Sequence, residues 1–187
     1  MSEYIKTLGL VIKQHDVGEA DRALVVLTKE CGKINLWVNG ARRAKSKNLA
    51  TSQLFCASDF VVFKKLDTYK LKSSEVVEPF FNLRKDLDRL TFATYLVKLT
   101  NDGIQEGCEE GVSDIIKLLL NCLHFIANTD KNPELVVHIF EIRFLSIIGF
   151  EPHLNEDGMV EAGHGTMRLS ESAQKAIQHI LKDIRQS

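Results

Sequence analysis

The sequence predicts an α+β protein in which a small five-stranded β-barrel comes first and an all-α helical domain follows. Up to about residue 78, short apolar segments alternate with turn-forming residues. Beyond Pro79, apolar residues recur at helical spacing. The charge balance changes at the same place, because residues 1–80 carry 13 Lys and Arg against 9 Asp and Glu, whereas residues 81–187 carry 11 against 16. We therefore predict two domains, 1–80 and 81–187.

Five segments of the first domain are expected to form its strands. They are residues 5–13, 22–28, 34–38, 55–65 and 69–76, with Leu66-Asp67-Thr68 as a tight connection between the last two. The third strand alternates most clearly, so one face should lie in a core (Ile34, Leu36, Val38) and the other outside it (Asn35, Trp37, Asn39). Five short strands are typical of an oligonucleotide-binding (OB) barrel.

Helices are expected in the second domain. The apolar spacing predicts one near residues 83–97, a second at 115–125, a third at 134–148 and a short amphipathic helix at 170–185. Pro133 suits a first helical turn and Gly149 a helix end. The third helix is apolar on most faces, so we expect it to be central and buried. Residues 151–168 are interpreted as a connection.

Several functional classes lack support in the sequence. There is no leader-like N-terminus and no uncharged apolar stretch of about 18 residues, so a cytosolic location is expected. The four cysteines (Cys31, Cys56, Cys108, Cys122) form no C-x-x-C pair and are interpreted as reduced thiols.

Catalytic motifs are also missing. The sequence has no phosphate-binding loop, nucleophile elbow or H-E-x-x-H helix, so we predict that the protein is not an enzyme. His15-Asp16 could form an acid/base pair, but such neighbours at a turn are more often structural. His153 and His164, with nearby carboxylates, match no metal-ligand spacing, and no metal or other cofactor is predicted.

The basic segment, residues 40–47, is the leading candidate site. Four cations follow the third strand there: Arg42, Arg43, Lys45 and Lys47. Clustered Arg and Lys can neutralise phosphates without reading bases, although the segment could equally be a solvated loop. Trp37, just before it, could stack a base or fill a gap against the helices. Lys70 and Lys72 share one face of the last strand, where lysines commonly protect an edge.

The order of several short motifs resembles the bacterial RecO recombination mediators over nearly the whole chain. The matching motifs are Gly18-Glu19-Ala20-Asp21-Arg22, Cys31-Gly32-Lys33-Ile34, Gly40-Ala41-Arg42-Arg43-Ala44-Lys45-Ser46, Val77-Glu78-Pro79-Phe80, Leu87-Asp88-Arg89-Leu90, Phe140-Glu141-Ile142-Arg143 and Gly149-Phe150-Glu151-Pro152. No single motif is specific, but their order and spacing are.

This resemblance implies an OB domain packed on a helical domain, with a role in recombinational DNA repair. Proteins of this kind bind single- and double-stranded DNA, anneal complementary strands, and act with RecR to load RecA onto DNA coated by single-strand-binding protein, in the cytoplasm at the nucleoid. On this sequence the DNA-binding positions would be Arg42, Arg43, Lys45 and Lys47, with Arg22 and Lys33 as supports.

The resemblance also implies a site for the acidic, apolar C-terminal tail of single-strand-binding protein. The matching helix offers His138, Ile142 and Arg143 for an apolar wall with a cation nearby. Many relatives carry a four-cysteine zinc site after the segment that matches residues 149–154. Residues 155–166 contain no cysteine, so no zinc is expected here.

Two other functions fit the same residues. An OB-fold RNA-binding protein would also place a basic loop beside an aromatic residue, and competition between matched DNA and RNA strands would distinguish the two. A protein-interaction scaffold would use the basic segment only as a hydrophilic surface. In that case, neutralising its four cations would leave nucleic-acid affinity unchanged.

Overall fold

A computed structural model describes residues 2–66, 68–129, 133–150, 153–154, 159–162 and 165–168. The chain divides into two compact units, Met1–Thr129 and Asp130–Ser187. The first contains a β-barrel and two long helices. The predicted domain boundary at residue 80 stays a prediction, since the first compact unit extends through both of those helices.

The barrel is formed by five strands, as predicted. They are β1 (Ser2–Val17), β2 (Asp21–Thr28), β3 (Gly32–Val38), β4 (Ala57–Lys65) and β5 (Thr68–Glu78). They close in the order β1-β2-β3-β5-β4, and every neighbouring pair is antiparallel except β3 and β5. The predicted OB-type arrangement is confirmed. The connection at residue 67 lies outside the described residues.

Strand β1 is longer than the apolar run predicted. Its first half, from Ser2 to Leu10, pairs with β4, and its second half, from Gly9 to Val17, pairs with β2. The polar ends of β1 therefore gain backbone partners that hydrophobicity does not reveal. A register shift between Val11 and Lys13 lies just after the change of partner, and such bulges bend strands as a small barrel requires.

The barrel core confirms the alternation predicted for β3. Ile34, Leu36 and Val38 are buried, whereas Asn35 and Trp37 face outward. The core continues with residues from the other strands: Val11, Leu24, Val26, Phe60 and Val62.

Two helices follow the barrel within the first unit. A short 3₁₀ turn (Phe81–Arg84) precedes α1 (Leu87–Gly103), and α2 spans Val112–Asn128. Helix α1 begins later than predicted because the Asp86 side chain caps it, accepting a hydrogen bond from Arg89 N. Arg89 also donates to the carbonyls of Ala127 (2.9 Å) and Thr129 (3.1 Å), which fastens α1 to the end of α2.

The turn between β2 and β3 fits closely against the connection between α1 and α2. Gly32 has a φ of +67°, and a Cβ built there would lie 2.0 Å from the carbonyl oxygen of Cys108. Gly107 N donates to Lys33 O at 2.9 Å, and Lys33 Nζ donates to Asn101 O at 2.7 Å. The connection between α1 and α2, residues 104–111, is called the helical connection below. It covers the first part of β3.

The second unit contains α3 (Glu134–Ile147), which follows Pro133 and ends just before Gly149, close to the predicted bounds. Four of its side chains are buried: Val137, Phe140, Ile142 and Phe144. The connection predicted at 151–168 contains three short strands that the sequence analysis did not predict, and they form an antiparallel sheet in the order β6 (His153–Leu154), β7 (Met159–Ala162) and β8 (Gly165–Arg168). Strands of two to four residues are too short to show alternation. The predicted helix at 170–185 lies outside the described residues.

The four cysteines form no disulfide with one another, and three of them are buried. Burial raises the pKa of the Cys31 and Cys56 thiols, so both stay protonated and unreactive at neutral pH. Within the described ranges, no cluster of three or more His, Cys, Asp or Glu side chains is placed to hold a metal ion. The side chains of the late connection, including His153 and His164, lie outside the description. No described helix has the length and apolar character to cross a membrane.

The Gly32 contact can be tested with a matched pair of substitutions. Gly32→Ala and Gly18→Ala each place a side chain at positive φ, which costs about 1–2 kcal/mol, but only Gly32 meets backbone atoms. We expect Gly32→Ala to lower the free energy of unfolding by about 1–3 kcal/mol more than Gly18→Ala does. Urea denaturation of both variants measures this difference, and equal losses would show that the contact with Cys108 is not close.

Candidate nucleic-acid interface

The basic segment begins a connection that runs from β3 to β4. Successive turns shape it, since Arg43 N donates to Gly40 O (3.2 Å) and Ser46 N to Arg43 O (2.8 Å). At its far end, Phe55 N donates to Val11 O at 2.9 Å, which returns the chain to the barrel. The cations are thus carried on a hydrogen-bonded loop at the end of the barrel.

Asp16 joins the loop to the hairpin of β1 and β2. One carboxylate oxygen lies 3.0 Å from Arg22 Nε and the other lies 3.3 Å from Arg42 Nε. Asp16 and Arg22 are direct cross-strand partners, so the sheet register itself places them together. Arg42 also donates to Gly18 O at 3.1 Å, and the carboxylate of Asp21 accepts from Gly40 N at 2.8 Å. The first residues of the basic segment are therefore fixed by two carboxylates.

Arg22 and Lys33, predicted as supports for DNA binding, both bind other parts of the protein. Arg22 is only 8% exposed and donates to the carbonyl and hydroxyl oxygens of Ser52, at 3.2 and 3.4 Å. Arg22 therefore connects β2 to the part of the loop that contains Ser52. Lys33 donates to Asn101 O, on the last turn of α1. Any contribution of these two residues to DNA binding stays a prediction.

The remaining three cations of the basic segment point into solvent. Arg43, Lys45 and Lys47 are exposed, and none of their side chains has a hydrogen bond or ion pair with a described residue. Arg42 is exposed as well, but its guanidinium is paired with Asp16, the carboxylate that it shares with Arg22. The four cations look equivalent in the sequence, but the structure distinguishes them. The Arg42 side chain is paired within the protein, whereas the other three side chains have no partner among the described residues.

Trp37 lies on the outer face of β3, beyond the part that the helical connection covers. Its side chain is 37% exposed, and its ring nitrogen donates to Asn39 Oδ1 at 2.7 Å. Asn35, two residues earlier on the same face, instead bonds Glu106 in the helical connection. The indole ring is thus held in a defined orientation with part of its surface accessible.

The three residues predicted to bind a partner peptide have different environments on α3. His138 Nδ1 lies 3.1 Å from Glu141 Oε2, and both side chains are mostly buried. Ile142 is fully buried, so it offers no exposed apolar wall in this structure. Arg143 is exposed.

Family models match most of the chain in two consecutive segments. A family model described as "Recombination protein O N terminal" matches residues 1–80, and one described as "Recombination protein O C terminal" matches residues 84–175. A "DNA repair protein RecO" from Acetivibrio thermocellus is 37% identical, over 95% of this chain and 79% of that protein. The chain belongs to the RecO family.

Other RecO relatives are matched over less of their length. The RecO of Alkaliphilus metalliredigens is 39% identical over 80% of this chain and 60% of its own. That of Caldicellulosiruptor saccharolyticus is 34% identical over 82% of this chain and 62% of its own. This RecO family chain thus spans less than two thirds of the length of these two relatives.

The role assigned to Asp16 can be tested by Asp16→Asn, which removes the charge facing both arginines. We expect it to lower the free energy of unfolding by about 1.5–3 kcal/mol, the usual range for hydrogen bonds to charged groups. Asp114→Asn is the control, since Asp114 pairs with Lys117 on the exposed surface of α2, where the loss should stay below about 1 kcal/mol. Denaturation of both variants makes the comparison. Equal losses would mean that Asp16 does not anchor the loop.

Proposed function

We propose that this chain is a non-enzymatic DNA-binding mediator of recombinational DNA repair. Membership in the RecO family supports a role in DNA repair. The observation that carries the DNA-binding proposal is a group of three exposed cations, Arg43, Lys45 and Lys47, whose side chains have no partner among the described residues. They lie on an anchored loop that follows β3 and its exposed Trp37. A mobile phosphate backbone can bind such a group without a shaped pocket.

The pairing of Arg42 with Asp16 changes the expected strength of phosphate binding. If all four cations of the basic segment released counterions from single-stranded DNA, the slope of log affinity against log salt would be about −3. Because Arg42 already has a carboxylate partner, three cations are available, and the slope from this segment should be about −2. Salt dependence therefore reports how many of these charges reach the DNA.

The partner proteins are proposed from the family resemblance. They are RecR and the C-terminal tail of single-strand-binding protein, and the proposed outcome is strand annealing and the loading of RecA on coated single strands in the cytoplasm, at the nucleoid. The exposed position of Arg143 on α3 supports an attraction for an acidic tail. The buried Ile142 means that any apolar wall of that site must come from other residues.

The phosphate-binding role is tested by substituting Arg43, Lys45 and Lys47 together with alanine. We expect a weaker affinity for labelled single-stranded DNA and a salt slope closer to zero by about 2. Fluorescence anisotropy at several salt concentrations measures both. The matched control replaces Lys85, Lys98 and Lys117, three exposed lysines of the helical part, with alanine and so changes the net charge equally.

Equal losses in the two triple variants would show that only overall charge matters, and unchanged binding in both would favour a protein-interaction scaffold. Competition with an RNA strand of the same length and base order should displace the labelled DNA less effectively than unlabelled DNA does. Stronger displacement by RNA would favour an RNA-binding protein.

Peptide binding by α3 is tested with Arg143→Ala and a synthetic acidic peptide that carries the tail sequence of single-strand-binding protein. Loss of one charge-assisted hydrogen bond is worth about 1.5–3 kcal/mol, so the dissociation constant should rise at least tenfold. Isothermal titration calorimetry gives the value. Lys117→Ala, on exposed α2, should leave it unchanged, and the same weakening there would indicate non-specific attraction.

A further inference from the structure

Four outward-facing side chains form a continuous row across the barrel, and three of them are aromatic. Trp37 on β3 is the register partner of Lys70 on β5, Lys70 is the partner of Phe63 on β4, and Phe63 is the partner of Tyr4 on β1. We call these four residues the cross-strand row. Its members face away from the core that Ile5, Leu36, Val62 and Tyr69 line from the alternate positions.

The row presents aromatic surface to solvent at both of its ends. Tyr4 is 61% exposed and Trp37 is 37% exposed. The Tyr4 and Phe63 rings lie 5.1 Å apart, centroid to centroid, at an interplanar angle of 50°, a spacing at which aromatic rings support one another. The tyrosine is thus held against the barrel with most of its ring accessible.

Positive charge surrounds the aromatic rings. Lys70 lies within the row, and Lys6, Lys65 and Lys72 lie next to it on the same strands. All four lysines are exposed, and none of their side chains has a hydrogen bond or ion pair with a described residue. An interface for another protein is usually depleted of lysine, whereas single-stranded nucleic acid is bound by alternating aromatic rings and cations.

We propose that the cross-strand row is a stacking platform for single-stranded DNA, with bases on Trp37 and Tyr4 and phosphates beside Lys70 and its neighbouring lysines. This inference rests on the proposed DNA-binding function and adds a second contact surface to the basic segment. Three interstrand steps of about 4.8 Å give the row a length of about 14 Å. That length can hold only a few nucleotides of a single strand, at the small end of the range for an OB barrel.

The row selects single strands because the bases of a duplex are stacked on one another and cannot reach the rings. It does not select sequence, since every base has a face that can stack. The path is also continuous with the basic segment, which starts three residues after Trp37.

The sole tryptophan of the chain gives a direct reading of the platform, because Trp37 alone provides the intrinsic indole fluorescence. The probes are an oligothymidylate and an abasic strand of equal length, which has the same phosphates without bases. We expect the oligothymidylate to quench the fluorescence and the abasic strand to leave it nearly unchanged. The alanine variant at Arg43, Lys45 and Lys47 should still show quenching at saturation.

Affinity provides the second reading. Trp37→Leu and Tyr4→Leu should each weaken binding of labelled oligothymidylate about fivefold or more, from the value of a single stacked base, while the salt slope and the affinity for the abasic strand stay unchanged. Phe81→Leu is the control, because Phe81 is 62% exposed but lies outside the row. Circular dichroism confirms that each variant is folded, and the exposed Tyr4 provides a test that does not depend on Trp37.

The possible failures are distinguishable. Salt-dependent binding that requires the basic segment, but shows no quenching and no loss in either row variant, would overturn the stacking platform and leave the proposed function standing. Absence of binding to both strands would overturn both.

Discussion

The barrel closes through the pairing of β3 with β5. This pairing determines the positions of the cross-strand row and of the basic segment, which are the proposed nucleic-acid contacts. Only two register pairs, Leu36 with Tyr69 and Trp37 with Lys70, join these parallel strands, yet they remove the free sheet edges that the remaining four strand pairs would leave. Because β5 lies between β3 and β4 in the ring, the chain leaving β3 must pass over the barrel end to begin β4. That passage carries the basic segment, so its position at the end of the barrel is a consequence of strand order.

The ion pairs of Asp16 with Arg22 and Arg42 hold the loop in place and also determine which of its cations remain available on the surface. A loop with four cations repels itself, and the hairpin of β1 and β2 supplies two carboxylates that orient its first part. Asp16 pairs with Arg42, and Asp21 accepts a hydrogen bond from Gly40 N. Arg22 connects this arrangement to the buried Ser52 on the returning half of the loop. Asp16, Arg22 and Arg42 therefore fix the loop. The remaining cations of the basic segment are exposed and accessible to a ligand. Substitutions of Asp16 or Arg22 are expected to lower mainly the free energy of unfolding, whereas substitutions of the exposed cations are expected to lower mainly the affinity for DNA.

Local pattern in the sequence predicted those features that depend on near neighbours. The alternation at Ile34, Leu36 and Val38, the apolar spacing of α2 and the exposed outer position of Trp37 all follow from periods of two or about 3.6 residues. Features set by distant partners were not predictable in this way. The two-partner pairing of β1, the division of Asp16 between two arginines, the burial of Ile142 and the short strands after residue 152 all depend on contacts or pairings that periodicity does not encode.

The contact at Gly32 has a consequence for how the sequence can vary. A residue with any side chain would overlap the Cys108 carbonyl, and moving that carbonyl would shift the covering connection away from β3. Gly18 also has a positive φ but faces open space, where asparagine or aspartate can adopt the same backbone conformation. Homologous chains that keep the helical connection packed on the β2–β3 turn should therefore all retain glycine at position 32, while position 18 is free to drift among small polar residues.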